Sequence, residues 1–161
     1  MQLRYFNQPH FENGSLKLIS QVLKEHGISK PLICTDPGLV AIGMTDKIRN
    51  LISNELSPTF YTETPANPTE QAVNDALDIY KQNDCDGVVG FGGGSSMDLA
   101  KTVALMANHE GNVIDYSVNE GGTGKIKETV PTIAIPTTSG TGSEVSLGAV
   151  RIKNDGRKII V

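Results

Sequence analysis

The segment that most constrains this chain is Val88-Val89-Gly90-Phe91-Gly92-Gly93-Gly94-Ser95-Ser96-Met97-Asp98, an apolar run that stops at three consecutive glycines and passes at once into a helix-like pattern. A buried strand feeding a helix through such a turn is the repeating unit of parallel α/β proteins. Glycines let the backbone approach an anion closely. The first turn of the following helix offers unpaired N–H groups and the positive end of its dipole. The stretch therefore reads as a phosphate site. It also reads as a tight turn capped by Ser95 or Ser96, with Ser95-x-x-Asp98 at the spacing of a carboxylate capping box. Three glycines exceed what a turn needs, since each costs backbone entropy, and this favours the phosphate reading. The segment is neither the G-x-G-x-x-G fingerprint nor a P-loop ending in G-K-[ST], which disfavours an ordinary dinucleotide fold and an NTPase.

Around this turn, strand-like and helix-like segments alternate, the pattern of a parallel sheet with crossover helices. Leu3 to Phe6 looks extended, and Leu16, Ile19, Val22 and Leu23 recur at helical spacing before the stop at Gly27. Pro31 to Thr35 reads as a buried strand followed by an Asp36-Pro37-Gly38 turn. Ile48, Leu51, Ile52 and Leu56 mark a second helix, and Thr59 to Tyr61 a short strand. Val73, Ala76, Leu77 and Tyr80 stripe a third helix. Gly87 to Phe91 is the strand before the glycines, and Ala100, Val103, Ala104 and Ala107 stripe the helix after them. Beyond His109 the pattern weakens, and Gly121-Gly122-Thr123-Gly124 reads as a flexible surface loop. A strand at Thr132 to Ile135 precedes Pro136-Thr137-Thr138-Ser139-Gly140-Thr141-Gly142-Ser143-Glu144, which is either a polar linker or a second group of hydroxyl and N–H donors at a strand's carboxyl end, where open parallel sheets bind ligands. Further strands are expected around Leu147 to Ile152 and Lys158 to Val161.

The 161 residues, with a formal net charge of −4, hold one domain and no basic run, which argues against nucleic-acid and anionic-membrane partners. No segment approaches the roughly 18 apolar residues needed to span a bilayer, and Met1 to Phe6 carries no long apolar signal core, so a cytoplasmic location is expected. Cys34 and Cys85 form no C-x-x-C, and Cys34 is expected in the core. His10, His26 and His109 are isolated from other metal ligands; solvated helix ends are expected for His26 and His109. No nucleophile–base constellation is apparent.

Two motifs together carry a family resemblance: Gly92-Gly93-Gly94-Ser95-Ser96-Met97-Asp98-Leu99-Ala100-Lys101 and Pro136-Thr137-Thr138-Ser139-Gly140-Thr141-Gly142-Ser143-Glu144-Val145. The pair resembles the N-terminal half of the iron-containing (group III) alcohol dehydrogenases, with Thr35-Asp36-Pro37-Gly38-Leu39 and Asn67-Pro68-Thr69 in the family's order. The resemblance implies a Rossmann-like parallel sheet with flanking helices, of the dehydroquinate synthase-like N-terminal type, with residues 1–161 forming an NAD(P)-binding domain. It implies contacts to the dinucleotide from Asp36 and Asn67 on the adenosine side, from Gly93, Gly94 and Ser95 at the pyrophosphate, from Asp98 on the nicotinamide side, from Thr137, Thr138 and Thr141 in a second loop, and from Lys158. An acid at position 36 favours a free 2′-hydroxyl, hence NAD over NADP.

The family's reaction is reversible hydride transfer between NAD(P) and an alcohol or aldehyde, assisted by iron or zinc. The resemblance places that metal on an aspartate and three histidines of a C-terminal helical domain, absent from these residues, so no catalytic residue is assigned. The chain thus reads as the dinucleotide-binding half of a metal-dependent enzyme, inactive alone. A truncated gene or a separate C-terminal half is expected, along with a homodimer through this domain. Glycerol dehydrogenases, glycerol-1-phosphate dehydrogenases and dehydroquinate synthase form an alternative branch, and a non-catalytic nucleotide-binding module is an alternative class. An exposed apolar face would favour a partner half.

Overall fold

In the computed structural model, which describes residues 7–152 and 158–161, four strands form one parallel sheet. A 3₁₀ turn at Ser15–Leu18 leads into α1 (Ile19–Glu25), followed by β1 (Pro31–Cys34), α2 (Pro37–Ala41) and α3 (Met44–Leu51). Next come β2 (Thr59–Tyr61), α4 (Glu70–Gln82), β3 (Gly87–Gly92), α5 (Gly94–Ala107) and β4 (Thr132–Pro136). The sheet runs in the order β2-β1-β3-β4, and the expected α/β architecture is therefore present. The extended segment expected over residues 3–6 and the turn at 154–156 lie outside the described residues.

Every residue of β1 and β3 is buried, as required of central parallel strands covered on both faces. Because side chains alternate across a strand, Leu32, Cys34 and Val88 join one core with α4 and α5, while Ile33, Val89 and Phe91 join the other with α1 and α3. Cys34 is fully buried in the first of these, as its apolar run implied, and burial pushes its thiol far above the ordinary value, with Cys85 adding to the effect. α5 seats directly on β3: a β-carbon at Gly90 would lie 2.7 Å from the Met97 Cα.

Several local expectations are corrected. Asp36-Pro37-Gly38 is not an isolated turn but the start of α2, with proline pre-setting the first helical position. Ile52 and Leu56 follow α3 rather than belonging to it, yet both remain in the core. Gly121–Gly124 is no loose loop. It forms part of consecutive 3₁₀ turns in which the Gly122 N–H donates to Ser117 O (2.9 Å), and a β-carbon at Gly122 would meet Asp115 O at 2.1 Å. His109 is half-buried rather than solvated; Nδ1 lies 2.7 Å from Leu105 O, and Nε2 accepts the Lys127 N–H at 2.8 Å. His26 is exposed, as expected. The last two strands, β5 (Val150–Ile152) and β6 (Lys158–Ile160), form a separate antiparallel pair rather than extending the parallel sheet. No helix among the described residues is long and apolar enough to cross a membrane.

Candidate functional site

The chain leaves β1 toward β2 and β3 toward β4 in opposite directions along the sheet. The carboxyl ends of these adjacent strands consequently open a crevice, the topological switch point of an open α/β sheet. A cleft of about 440 Å³ lies there, lined by Asp36, Pro37, Gly38 and Leu39 after β1, Thr64, Pro65 and Ala66 after β2, Gly93 to Ser96 after β3, and Thr137 and Thr138 after β4.

The glycine turn forms its floor. Gly92 ends β3 at φ +155°, a conformation other residues rarely adopt, and a β-carbon there would fall 2.5 Å from Ser96 Oγ. Gly93 is the N-cap of α5, and no side chain caps this helix end among the described residues. The expected capping by Ser95 or Ser96 does not occur, because both lie inside the first turn. Ser95 Oγ instead accepts the Asn67 N–H at 3.0 Å, and Asp98 is directed elsewhere. The first-turn amides of α5, which have no intrahelical acceptors, face an otherwise uncapped end.

Asp36 does two jobs at the opposite wall. Its Oδ1 accepts the Leu39 N–H at 3.1 Å and caps α2, while the carboxylate lines the cleft. Thr64, 2% exposed, lines the same cleft and donates its N–H to Thr35 O (3.2 Å). The Oγ1 atoms of Thr35 and Thr64 are both buried without a hydrogen-bond partner, an arrangement uncommon enough to call for a physical reason.

The loop after β4 closes the cleft from the other side. The Thr137 N–H donates to Gly92 O at 2.9 Å, continuing the β3–β4 ladder. β-carbons added at Gly93 and Gly94 would lie 3.5 Å from Thr138 Oγ1 and 3.4 Å from Thr141 Cβ. The glycines therefore keep open a gap that side chains would fill from below.

Of the residues expected at a dinucleotide, Asp36, Gly93, Gly94, Ser95, Thr137 and Thr138 line one cleft, and Asn67 and Thr141 flank it. Asp98 and Lys158 do not line it. Asp98 is buried, with Oδ1 accepting the Ser143 hydroxyl and Oδ2 accepting the Val150 N–H at 3.0 Å. Lys158 lies exposed on β6, opposite Ile152. Sequence reasoning assigns no role to the Thr64–Ala66 wall or to Lys101, although Lys101 closes the first glycine-rich motif. The Lys101 ammonium donates to Ser143 O (2.6 Å), Gly148 O (3.0 Å) and Ser143 Oγ (3.1 Å), 3.6 Å from Asp98 Oδ1. Burial lowers its pKa, against which the Asp98 carboxylate and Glu144 act to hold the proton.

These features suit a ligand carrying phosphates and a hydroxyl-bearing sugar: a cradle that β-carbons would fill, amides at a helix start, and an acid at the far wall. They do not suit a metal. Among the described residues no group of three or more His, Cys, Asp or Glu side chains could hold one.

Residues 7–161 match the family described as iron-containing alcohol dehydrogenase. The chain is 44% identical over 156 residues to 4-hydroxybutyrate dehydrogenase of Cupriavidus necator, covering 96% of this chain and 41% of that protein. Its fold matches sulfoacetaldehyde reductase of Bifidobacterium kashiwanohense in complex with NAD+ (TM-score 0.84, 30% identity, 100% of this chain and 43% of that one). It also matches a 1,3-propanediol oxidoreductase (TM-score 0.87, 26% identity, 99% and 42%). The chain thus spans about two-fifths of the length of the relatives it matches.

Proposed function

The chain belongs to the iron-containing alcohol dehydrogenase family, and from that premise we propose that its cleft binds NAD as the dinucleotide-binding domain of an alcohol dehydrogenase. The observation that carries this reading is the pairing, across one crevice, of the uncapped N-terminus of α5 with the Asp36 carboxylate.

Each wall has a distinct task. The amides of Gly94, Ser95 and Ser96 hold the pyrophosphate, because the helix end is positive and no β-carbon stands at Gly93 or Gly94. The Asp36 carboxylate accepts from the adenosine ribose and repels a 2′-phosphate, so NAD is preferred to NADP. Its fixed orientation comes from the bond to Leu39 N–H. Asn67 sets the outer edge by holding Ser95 Oγ, and Thr137, Thr138 and Thr141 cover the cofactor from the β4 side. Bound NAD supplies hydride-transfer chemistry between an alcohol and its aldehyde.

In this reading the metal and most of the alcohol pocket belong to a C-terminal domain outside these 161 residues. A surface suited to such a half supports this: Val145, Leu147, Val150 and Ile160 are exposed on the second loop and the β5–β6 pair, Leu147 by 76%. Apolar side chains gathered on one such region mark an interaction face. A cytoplasmic location and a homodimer belong to the same proposal.

Titration with NADH, followed by nicotinamide fluorescence and repeated with NADPH, tests it. Saturable NADH binding with weaker NADPH binding is expected. Equal affinity for the two would remove Asp36 from the role given it, and absence of binding by either would overturn the cofactor reading.

A further inference from the structure

The second cofactor loop is held at its two ends by very different means. At its start, the Thr137 N–H extends the sheet ladder to Gly92 O. Over residues 138–142 no backbone N–H donates a hydrogen bond among the described residues, Gly140 and Gly142 take positive φ (+89° and +70°), and Thr138 and Thr141 are exposed. The arch's local ties run toward its far end: Thr141 Oγ1 donates to Glu144 Oε2 (3.3 Å) and accepts the Ser143 N–H (3.3 Å), and Gly142 O accepts the Val145 N–H (3.2 Å). Its far end is tied to the side of α5, one turn beyond the anion-facing helix start.

That tie is saturated. The Lys101 ammonium has three protons, and three acceptors lie within hydrogen-bond distance: Ser143 O, Ser143 Oγ and Gly148 O. Both oxygens of Asp98 are likewise occupied, by the Ser143 hydroxyl and the Val150 N–H. Asp98 and Lys101 stand three residues apart on one helix face, so each holds the other as well as the loop. The side chains are only 12% and 16% exposed, so water competes weakly for these bonds.

We propose that Asp98 and Lys101 are positioning residues: they fix the 137–142 arch above the Gly93–Gly94 turn by clasping Ser143 and Gly148, without touching the dinucleotide. This rests on the reading of the cleft as a cofactor site. It gives α5 two linked functions, with its first turn receiving the anion and its second holding the covering loop at the right height. Preorganisation of this kind raises affinity by removing the ordering cost from the binding step.

The clasp predicts a split between ligands. AMP engages the Asp36 wall and the glycine turn, whereas NADH and ADP-ribose extend beneath the arch. In Lys101→Met, and in the double variant Asp98→Asn/Lys101→Met, which leaves no lone buried charge, hydrogen exchange without ligand should quicken at residues 138–146 and stay unchanged in β3. The Kd for NADH and for ADP-ribose should rise about tenfold, with AMP affinity preserved. Unchanged exchange at 138–146 in both variants overturns the clasp, whatever the wild-type chain binds. Loosened exchange with unaltered NADH affinity, or equal weakening of AMP and NADH, overturns the positioning role. If the wild-type chain binds none of the three ligands, the cofactor reading itself falls and the positioning role with it, while the exchange measurement still reports whether the clasp holds the loop.

Discussion

Asp36 and Gly92 face one another across the junction of β1 and β3: a β-carbon placed on Gly92 would lie 3.2 Å from Asp36 Oδ2, while Oδ1 of the same carboxylate is committed to the Leu39 N–H. One oxygen builds the fold, and the other stands at the mouth of the cleft. The two roles can be separated by mutation.

Asp36→Ser keeps a side chain able to cap α2 but removes the charge, whereas Asp36→Ala removes both. The alanine variant should lose about 1 kcal/mol of stability and the serine variant much less. Both should narrow the difference between NADH and NADPH affinity. Urea denaturation and parallel fluorescence titrations read the two effects independently. A preserved NADH preference in both variants would rule out the charge as its source.

Gly90 is the point at which α5 and β3 touch. Gly90→Ala pushes a methyl to within 2.7 Å of the Met97 Cα, against backbone that has no rotamer to yield. A loss of roughly 1–3 kcal/mol is expected, as for other overpacked core sites, measured as a shift in the urea midpoint at unchanged slope. Because α5 would be displaced with its first turn, cofactor affinity should fall as well.

Thr64→Val removes a buried hydroxyl that has no partner. Stability should hold or rise, since an unsatisfied polar group is replaced by an apolar one of the same shape. If the hydroxyl turns toward the bound ligand, NADH affinity falls several-fold in the same variant, and a thermal melt with and without NADH separates the two effects.

Asp86 joins the segment before β1 to the segment before β3. Its carboxylate accepts Ser29 N–H (2.9 Å) and the Ser29 hydroxyl (2.6 Å) on Oδ2, and Lys30 N–H (2.8 Å) on Oδ1. Burial raises the Asp86 carboxyl, but the Ser29 hydroxyl and the Ser29 and Lys30 amides outweigh this and hold it below its ordinary value. A group with a depressed folded pKa stabilises fully above its unfolded value, about 3.9, and that stabilisation disappears as pH falls through the folded value. Asp86→Asn should therefore cost about 1 kcal/mol at pH 7, modest because the carboxylate is partly exposed. Wild type and variant should converge in acid, as followed by denaturation across pH 2 to 7.

Much of this was legible in the residues alone. The alternation of strand and helix, the burial of Cys34, the strand at Thr132 and the strand–glycine–helix turn were all readable, because each depends on the local period of apolar side chains or on glycine's own backbone freedom. The apolar run before it puts Asp36 at the carboxyl end of a buried strand, and the family resemblance alone assigns it to the cofactor. The capping box expected at Asp98 is absent for a physical reason. Three residues after Ser95, Asp98 has the spacing of a cap, and only the return of Ser143 and Val150, 45 and 52 positions later, gives its oxygens their partners.

What the amino-acid sequence determined by itself is the set of elements and the chemistry offered at the ends of β1 and β3, since propensity, periodicity and turn geometry act over a few neighbouring residues. The strand order β2-β1-β3-β4, the crevice it opens, the packing of Gly122 and the Asp98–Lys101 clasp were decided only by tertiary structure. Those contacts join residues far apart in the chain, and they form where burial and saturated hydrogen bonding outweigh the entropy of bringing the segments together, a balance that leaves no periodic trace in sequence.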